Sequence, residues 1–493
     1  MGYRAASPYS SAGPAGVVVG SIAKPAHPGI CMKCGTARPS VTPIPTGEVT
    51  FHPHSYGDPA GRLFVWNGGL YRGIRGESAP FFRRLLEDGT VQGLVDDGLL
   101  IDTEMTPLSL AGFDMVVRHR SLPFPSYPEE WSGTMLRDAA LLILDMLERL
   151  AARGLTLKDG HPWNVLYDAC RPTYVDLTSI ALLDDRRWRG YDSFCHFCVY
   201  PLVLISQGQE RIARRLIPEY EGVLAADLEA LTRRSPLSPL RRWRRAASRL
   251  WRRVGDLERL TVRGPDEASP ADSRQRKAAA FARRVRQDVR GIVLDERGPD
   301  EVRPALSWSS AEHAAVADVL DRLASELQPA SVLEALSRPS YSSVLAADRD
   351  VVSLDPDSAC ISRLYRDGQQ NKRPMLPLVM DFTDPTPARG LAAHWTIPAS
   401  ERLRCDMVLG LGLVQYGVVQ RRLRFEQIVD GLAGFCRRWL VVDFPEHPRG
   451  TGADWLRART WYSLEHFMRV VRERFGSVTR LPTGSGVLLL CEK

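Results

Sequence analysis

Ser331-Val332-Leu333-Glu334 is a short apolar run that ends in an acid, and the pattern returns twice downstream. Val351-Val352-Ser353-Leu354-Asp355-Pro356-Asp357 and Leu376-Pro377-Leu378-Val379-Met380-Asp381-Phe382 close in the same way. Cys405-Asp406-Met407-Val408-Leu409-Gly410-Leu411-Gly412-Leu413-Val414, Trp439-Leu440-Val441-Val442-Asp443-Phe444 and Gly486-Val487-Leu488-Leu489-Leu490-Cys491 extend the series. Stretches of helical spacing separate most of them. Apolar runs of this length alternating with helices predict a parallel sheet covered on both faces, so the fold class is α/β. Ligands of such sheets bind outside the carboxyl ends of the strands. Asp355, Asp357, Asp381, Gln415 and Tyr416 fall there.

Upstream, a helix is expected from about Ala311 to Leu327. Before it lie two Arg-rich segments. In the first, from Ser238 to about Arg263, Leu240, Trp243, Ala247, Leu250, Trp251, Val254 and Leu257 recur at helical spacing, and arginines fill the other positions. Such a helix either packs between domains with a solvated Arg face or binds nucleic acid or an acidic carrier. A second basic helical piece runs to Val293. Farther upstream, Arg62 to Arg72 reads as two strands about an Asn67-Gly68 turn, a strong hairpin signal. Strand-like pieces at Gly98–Ile101 and Asp114–Val117 follow, then a helix from Thr134 to about Arg153 with Gly154 as its cap. Tyr191 to Gln207 reads as an apolar helix.

The C-terminal series resembles a class I methyltransferase-type Rossmann domain. The resemblance implies that Asp355 meets the ribose of S-adenosylmethionine and that Asp381 faces the adenine. The loop after the first strand is Ala335-Leu336-Ser337-Arg338-Pro339-Ser340-Tyr341-Ser342. Leu336 and Ser340 stand where the family has glycines, which let backbone approach the cofactor without a Cβ. The rewritten loop makes S-adenosylmethionine a doubtful cofactor and suggests a repurposed pocket. In it Arg338 is placed to hold an anionic group in bidentate fashion. Asp357, Gln415 and Tyr341 are further substrate-binding candidates. Asp355, Asp381 and Tyr416 are the catalytic candidates, as anchor, acid or base.

A second resemblance covers roughly Phe51 to Val223. Leu157-Lys158-Asp159-Gly160-His161-Pro162-Trp163-Asn164 followed by Tyr174-Val175-Asp176-Leu177-Thr178-Ser179 is similar to the catalytic loop and metal-binding Asp of the protein-kinase and aminoglycoside-kinase superfamily. The resemblance implies that Asp159, His161, Asn164 and Asp176 form a kinase-like loop. The chain lacks a Gly-rich phosphate loop, and no lysine lies between Lys33 and Lys158. These residues also suit a hydrogen-bonded turn that holds the lobe together.

The resulting order is a disordered leader (1–45), a kinase-like domain (46–235), a basic helical linker (236–310) and a Rossmann methyltransferase-like domain (311–493). Of the 493 residues, 44% are hydrophobic and 25% charged, as in ordinary globular proteins. No apolar run is long enough to span a bilayer, and no secretory signal is visible, which points to the cytoplasm. Nine scattered cysteines argue against a disulfide framework. Cys31, Cys34, Cys195 and Cys198 have zinc-compatible spacing, but the second pair lies in an apolar helix and no metal is assigned. The net charge of +7 favours an acidic partner. A polar, anionic small molecule, an acidic carrier protein or a companion subunit fits better than nucleic acid. The expected activity is that of a small-molecule tailoring enzyme of bacterial secondary metabolism, working by displacement or elimination such as ring closure with loss of an anionic group. A methyltransferase that uses S-adenosylmethionine and a non-catalytic scaffold are the other classes the sequence leaves open.

Overall fold

A computed structural model describes residues 41–52, 55, 58–184, 188–232, 271–294, 310–337, 341, 345, 349–393, 395–446, 453–481 and 486–493. Cys31, Cys34, the first Arg-rich segment, Arg338, Pro339, Ser340 and Ser342 lie outside the described residues. The chain divides into two compact units, residues 1–89 with 102–121, and residues 90–101 with 122–493.

The first unit is built on an antiparallel sheet of β1 (Thr50–Phe51), β2 (Gly61–Trp66), β3 (Gly69–Ile74), β4 (Thr103–Met105) and β5 (Met115–His119), in the order β1-β2-β3-β5-β4. The expected hairpin is β2–β3, and Asn67 and Gly68 both take positive φ (48° and 71°), as the tight turn requires. Ile44, Phe64, Tyr71, Leu110 and Val116 form its core, beside helix α1 (Ala79–Glu87). Arg72 is buried and paired with Asp58 at 3.0 Å. Burial, with the Arg72 charge nearby, drives the His119 pKa down to about 3.

In the second unit, α2 (Thr90–Asp96) is followed by a turn where a strand was expected. Gly98 takes φ +68°, and Leu100 makes only an isolated bridge to Tyr174, so residues 98–101 have no ladder. Helix α3 (Gly133–Ala151) starts where Ser132 Oγ accepts from Met135 N at 3.4 Å. Its apolar positions, Leu136, Ile143, Leu144, Leu147 and Leu150 among them, are buried. Strands β6 (Leu155–Leu157), β7 (Val165–Asp168), β8 (Arg171–Tyr174) and β9 (Ile180–Leu182) pair as β6–β9 and β7–β8. The helical run 191–205 widens into a π-turn at Cys195–Val199, just before Pro201, which has no N–H to donate. Cys195 and Cys198 are both buried there, and burial raises the Cys198 thiol well above its usual range. After α4 (Glu210–Leu216), the second basic segment forms α5 (Ala271–Arg290), which packs on α3. Arg286 binds Asp145 and Glu148, and Ala282, Val285 and Val289 are buried.

Gly160 and Gly190 meet backbone to backbone beside the 157–164 loop. A Cβ on Gly160 would stand 2.1 Å from Gly190 O. Gly160→Ala is therefore expected to cost about 1–3 kcal/mol, the range of overpacking substitutions, read as a lowered melting temperature. An unchanged melting temperature would show that this contact relaxes freely.

The C-terminal sheet has seven strands: β10 (Ser331–Glu334), β11 (Asp350–Asp355), β12 (Met375–Val379), β13 (Cys405–Gly410), β14 (Cys436–Phe444), β15 (Ser477–Leu481) and β16 (Val487–Glu492). Their order is β12-β11-β10-β13-β14-β16-β15. The first five are parallel, and β16 runs antiparallel between β14 and β15. This doubly wound order, reversing direction from β10 and carrying one antiparallel strand, is the class I methyltransferase-like arrangement that the sequence implied. Helices α6 (Ser310–Leu327), α7 (Ser358–Asn371), α8 (Leu413–Arg421), α9 (Phe425–Phe435), α10 (Ala453–Arg457) and α11 (Leu464–Arg472) complete it. Val316, Val319, Leu320 and Leu323 of α6 pack on Val332, Met407, Leu409, Trp439 and Val441 of the sheet. Among the described residues, no helix is long and apolar enough to cross a membrane.

Candidate functional site

The carboxyl ends of β10, β11, β12 and β14 carry the acids. Glu334, the last residue of β10, is buried and held at both oxygens. Tyr341 N donates to Oε1 and Ser353 Oγ to Oε2, each at 2.6 Å. Ser337 turns the following loop back onto β11, its N and Oγ both donating to Leu354 O at 3.0 Å. Asp355 ends β11 and is 1% exposed, and its Oδ1 accepts from Asp357 N at 2.7 Å. Asp357 is the N-cap of α7, where its Oδ1 accepts from Ala359 N at 2.9 Å.

Asp381 follows β12 and is more heavily engaged. Oδ1 accepts from Thr383 N at 2.9 Å and Thr383 Oγ1 at 2.7 Å. Oδ2 accepts from Tyr416 OH at 3.0 Å and from the Arg421 guanidinium. The structure thus brings Asp381 and Tyr416 together, with Arg421 as a partner that the sequence reading missed. Gln415 and Tyr416 lie half-buried in the first turns of α8.

A second group was also missed. Asp443, next to the end of β14, is buried, and its Oδ1 accepts from Gly412 N at 2.6 Å. Burial raises its pKa to about 7, against the pull of that hydrogen bond. Asp443 acts electrostatically on Tyr341 and Tyr462, whose hydroxyls burial raises above their usual range. Tyr341 OH lies 3.2 Å from His313 Nδ1. Glu334, Tyr341, Asp443 and Tyr462 are therefore one cluster over β10, β13 and β14. Asp443 was legible only as one more acid at a strand end.

The 157–179 segment is held by its own hydrogen bonds. Lys158 N donates to Ser179 O at 2.8 Å, and Asp159 N to Ser179 Oγ at 3.3 Å. Asn164 Nδ2 donates to Tyr174 OH at 3.3 Å. Asp176 Oδ1 accepts from Thr178 N and Oγ1 at 3.1 and 2.6 Å. His161 lies near Asp159 and Asp176, yet burial outweighs both charges and lowers its pKa. Among the described residues, no group of three or more His, Cys, Asp or Glu is placed to hold a metal ion.

A buried polar seam ties this half of the second unit to the C-terminal sheet. Arg402 pairs with the fully buried Glu130 and donates to Pro125 O at 2.7 Å and Ile397 O at 3.0 Å. Its guanidinium carbon lies 4.2 Å from the Tyr127 ring centre. Arg214 of α4 donates to Glu129 O and to Val379 O, the last carbonyl of β12 and two residues before Asp381. Tyr365 OH donates to Asp138 at 2.8 Å, and the tilted rings of Trp163 and Trp395 have centres 5.6 Å apart. Burial, then the neighbouring Glu130, raises the Glu129 pKa to about 7.

No family model matches the chain. It is 22% identical to the nodulation protein NoeA of Rhizobium meliloti (strain 1021) over 412 residues, 80% of this chain and 84% of that protein. Among solved structures it is similar to magnesium protoporphyrin IX methyltransferase of Synechocystis PCC 6803, with 13% identity, 37% of this chain, 78% of that one and a TM-score of 0.26. It is also similar to the 16S rRNA methyltransferase RmtF, with 17% identity, 44% and 84% coverage and a TM-score of 0.27. A third is the bifunctional kinase-methyltransferase WbdD, with 11% identity, 37% and 40% coverage and a TM-score of 0.26.

Proposed function

We propose that the chain is a small-molecule tailoring enzyme of bacterial secondary metabolism whose methyltransferase-like pocket works without S-adenosylmethionine. The observation that carries this reading is the state of Asp381. A carboxylate has about four lone-pair sites. Thr383 N, Thr383 Oγ1, Tyr416 OH and Arg421 occupy that many, leaving no oxygen to face an adenine. The burial of Asp355 and the Leu336 side chain in place of a glycine support the same reading. Under this reading S-adenosylmethionine takes no part in the chemistry.

Under this reading the proton acceptor is Asp443, whose pKa near 7 suits acid–base work at neutral pH. In a ring-closing displacement, a nucleophilic atom of the substrate attacks its own electrophilic carbon. The carbon–leaving-group bond breaks, the anionic group leaves with the electron pair, and the nucleophile's proton passes to Asp443. Asp381, neutralised by Arg421, orients Tyr416. The kinase-like loop serves as a rigid platform, since the Asp159 backbone N–H and the Asn164 and Asp176 side chains are engaged in its own turn.

Titration calorimetry of the whole chain with S-adenosylmethionine and its demethylated product tests the reading. No heat of binding is expected from folded protein. Micromolar binding that Asp355→Ala weakens would replace it with an ordinary methyltransferase.

A further inference from the structure

Beyond Asp381, α8 ends in a basic and aromatic face. Arg421 reaches inward to Asp381, whereas Arg422 and Arg424 are exposed. The Arg422 guanidinium carbon lies 4.4 Å from the ring centre of Trp455 on α10, and that of Arg459 lies 4.7 Å from the same centre. Trp461, 37% exposed, adjoins through Phe425, with ring centres 5.5 Å apart. Among the described residues, the acids here are already occupied: Asp381 by Arg421, Asp454 by Arg457, Glu426 facing His466 at 3.7 Å and Asp430 by Arg474. Arg422, Arg424 and Arg459 have no carboxylate within ion-pair distance among the described residues.

We propose that this face docks an acidic protein partner that presents a tethered substrate to the pocket. The proposal rests on the small-molecule reading above and names the partner of that same site. A guanidinium held against an indole keeps its fork oriented, with N–H edges available to pair carboxylates. Arg and Trp are the residues that anchor protein interfaces. The exposed Arg422, Arg424 and Arg459 suit a broad partner better than a small anion, which would need a concave site. Arg421 links the face to Asp381 of the candidate site, and the chain's net charge of +7 has the matching sign.

Fluorescence anisotropy with a labelled synthetic helix carrying glutamates at i and i+4 tests the proposal on the whole chain, with heparin and duplex DNA as competitors. The peptide is expected to bind with salt-dependent affinity. Arg422→Glu with Arg459→Glu should weaken it about tenfold or more, a change of at least 1.4 kcal/mol, and Trp455→Ala should weaken it too. Absence of peptide binding at low salt, equal binding by the double variant, or tighter binding of heparin or DNA would each overturn the proposal. Circular dichroism confirms that the surface variants fold. They leave Asp355, Asp381 and Asp443 intact, so the S-adenosylmethionine titration is read separately.

Discussion

Arg402→Ala will lower the stability of the second unit by about 3–5 kcal/mol, the cost of removing one partner from a buried ion pair. Glu130 is fully buried and, among the described residues, would keep the Tyr127 N–H at 2.8 Å as its one donor. The carbonyls of Pro125 and Ile397 would lose their guanidinium partner as well. Urea unfolding at neutral pH measures the loss. The double change Arg402→Met with Glu130→Gln should recover at least half of it, because no buried charge is then left uncompensated. A loss below about 1 kcal/mol in the single variant, the range of exposed pairs, would mean that Glu130 takes up its proton or finds water. The effect should reach the pocket. The chain from Asp381 to Arg402 is pinned at one end by Arg421 and Arg214 and at the other by Arg402.

That seam could not be read from sequence, because its partners are distant in the chain. Glu130 and Arg402 are 272 residues apart, and nothing local marks either as buried. The parallel sheet was legible because each buried strand is a continuous apolar run that a helix follows. The edge strand β15 was not. Ser477-Val478-Thr479-Arg480-Leu481 is exposed at most positions and shows neither an apolar run nor a clear alternation. The acids ending β11 and following β12 were placed correctly by their position at strand ends. Their occupancy was not, since Arg421 approaches Asp381 from a helix forty residues on. Leu99, Leu100 and Ile101 looked like a strand because they are apolar, but the turn at Gly98 deprives them of a ladder.

Asp443 offers the sharper test, because its two roles predict opposite combinations of results. Burial raises its pKa from 3.8 to about 7. A carboxyl with a raised folded-state pKa contributes its full stability below its unfolded pKa, near 4, and loses it as the pH climbs through 7. Above pH 7 the buried charge then costs on the order of 4 kcal/mol, at about 1.4 kcal/mol per unit. Asp443→Asn removes that charge, and its amide oxygen can still accept from Gly412 N. The variant is expected to melt at a higher temperature than the parent at pH 8, at an equal one near pH 4, and with a flatter profile between. Glu129 titrates in the same window, so Glu129→Gln serves as the control that isolates its share. If Asp443 only caps the turn into α8, the stabilised variant keeps its product in producing cells. If Asp443 takes the proton in catalysis, the same variant is more stable and loses turnover by about a hundredfold or more. A pH profile unchanged by Asp443→Asn would remove the physical basis for the proton-acceptor role, because the carboxyl would then carry no desolvation penalty to release, and would leave only the cap on Gly412 N.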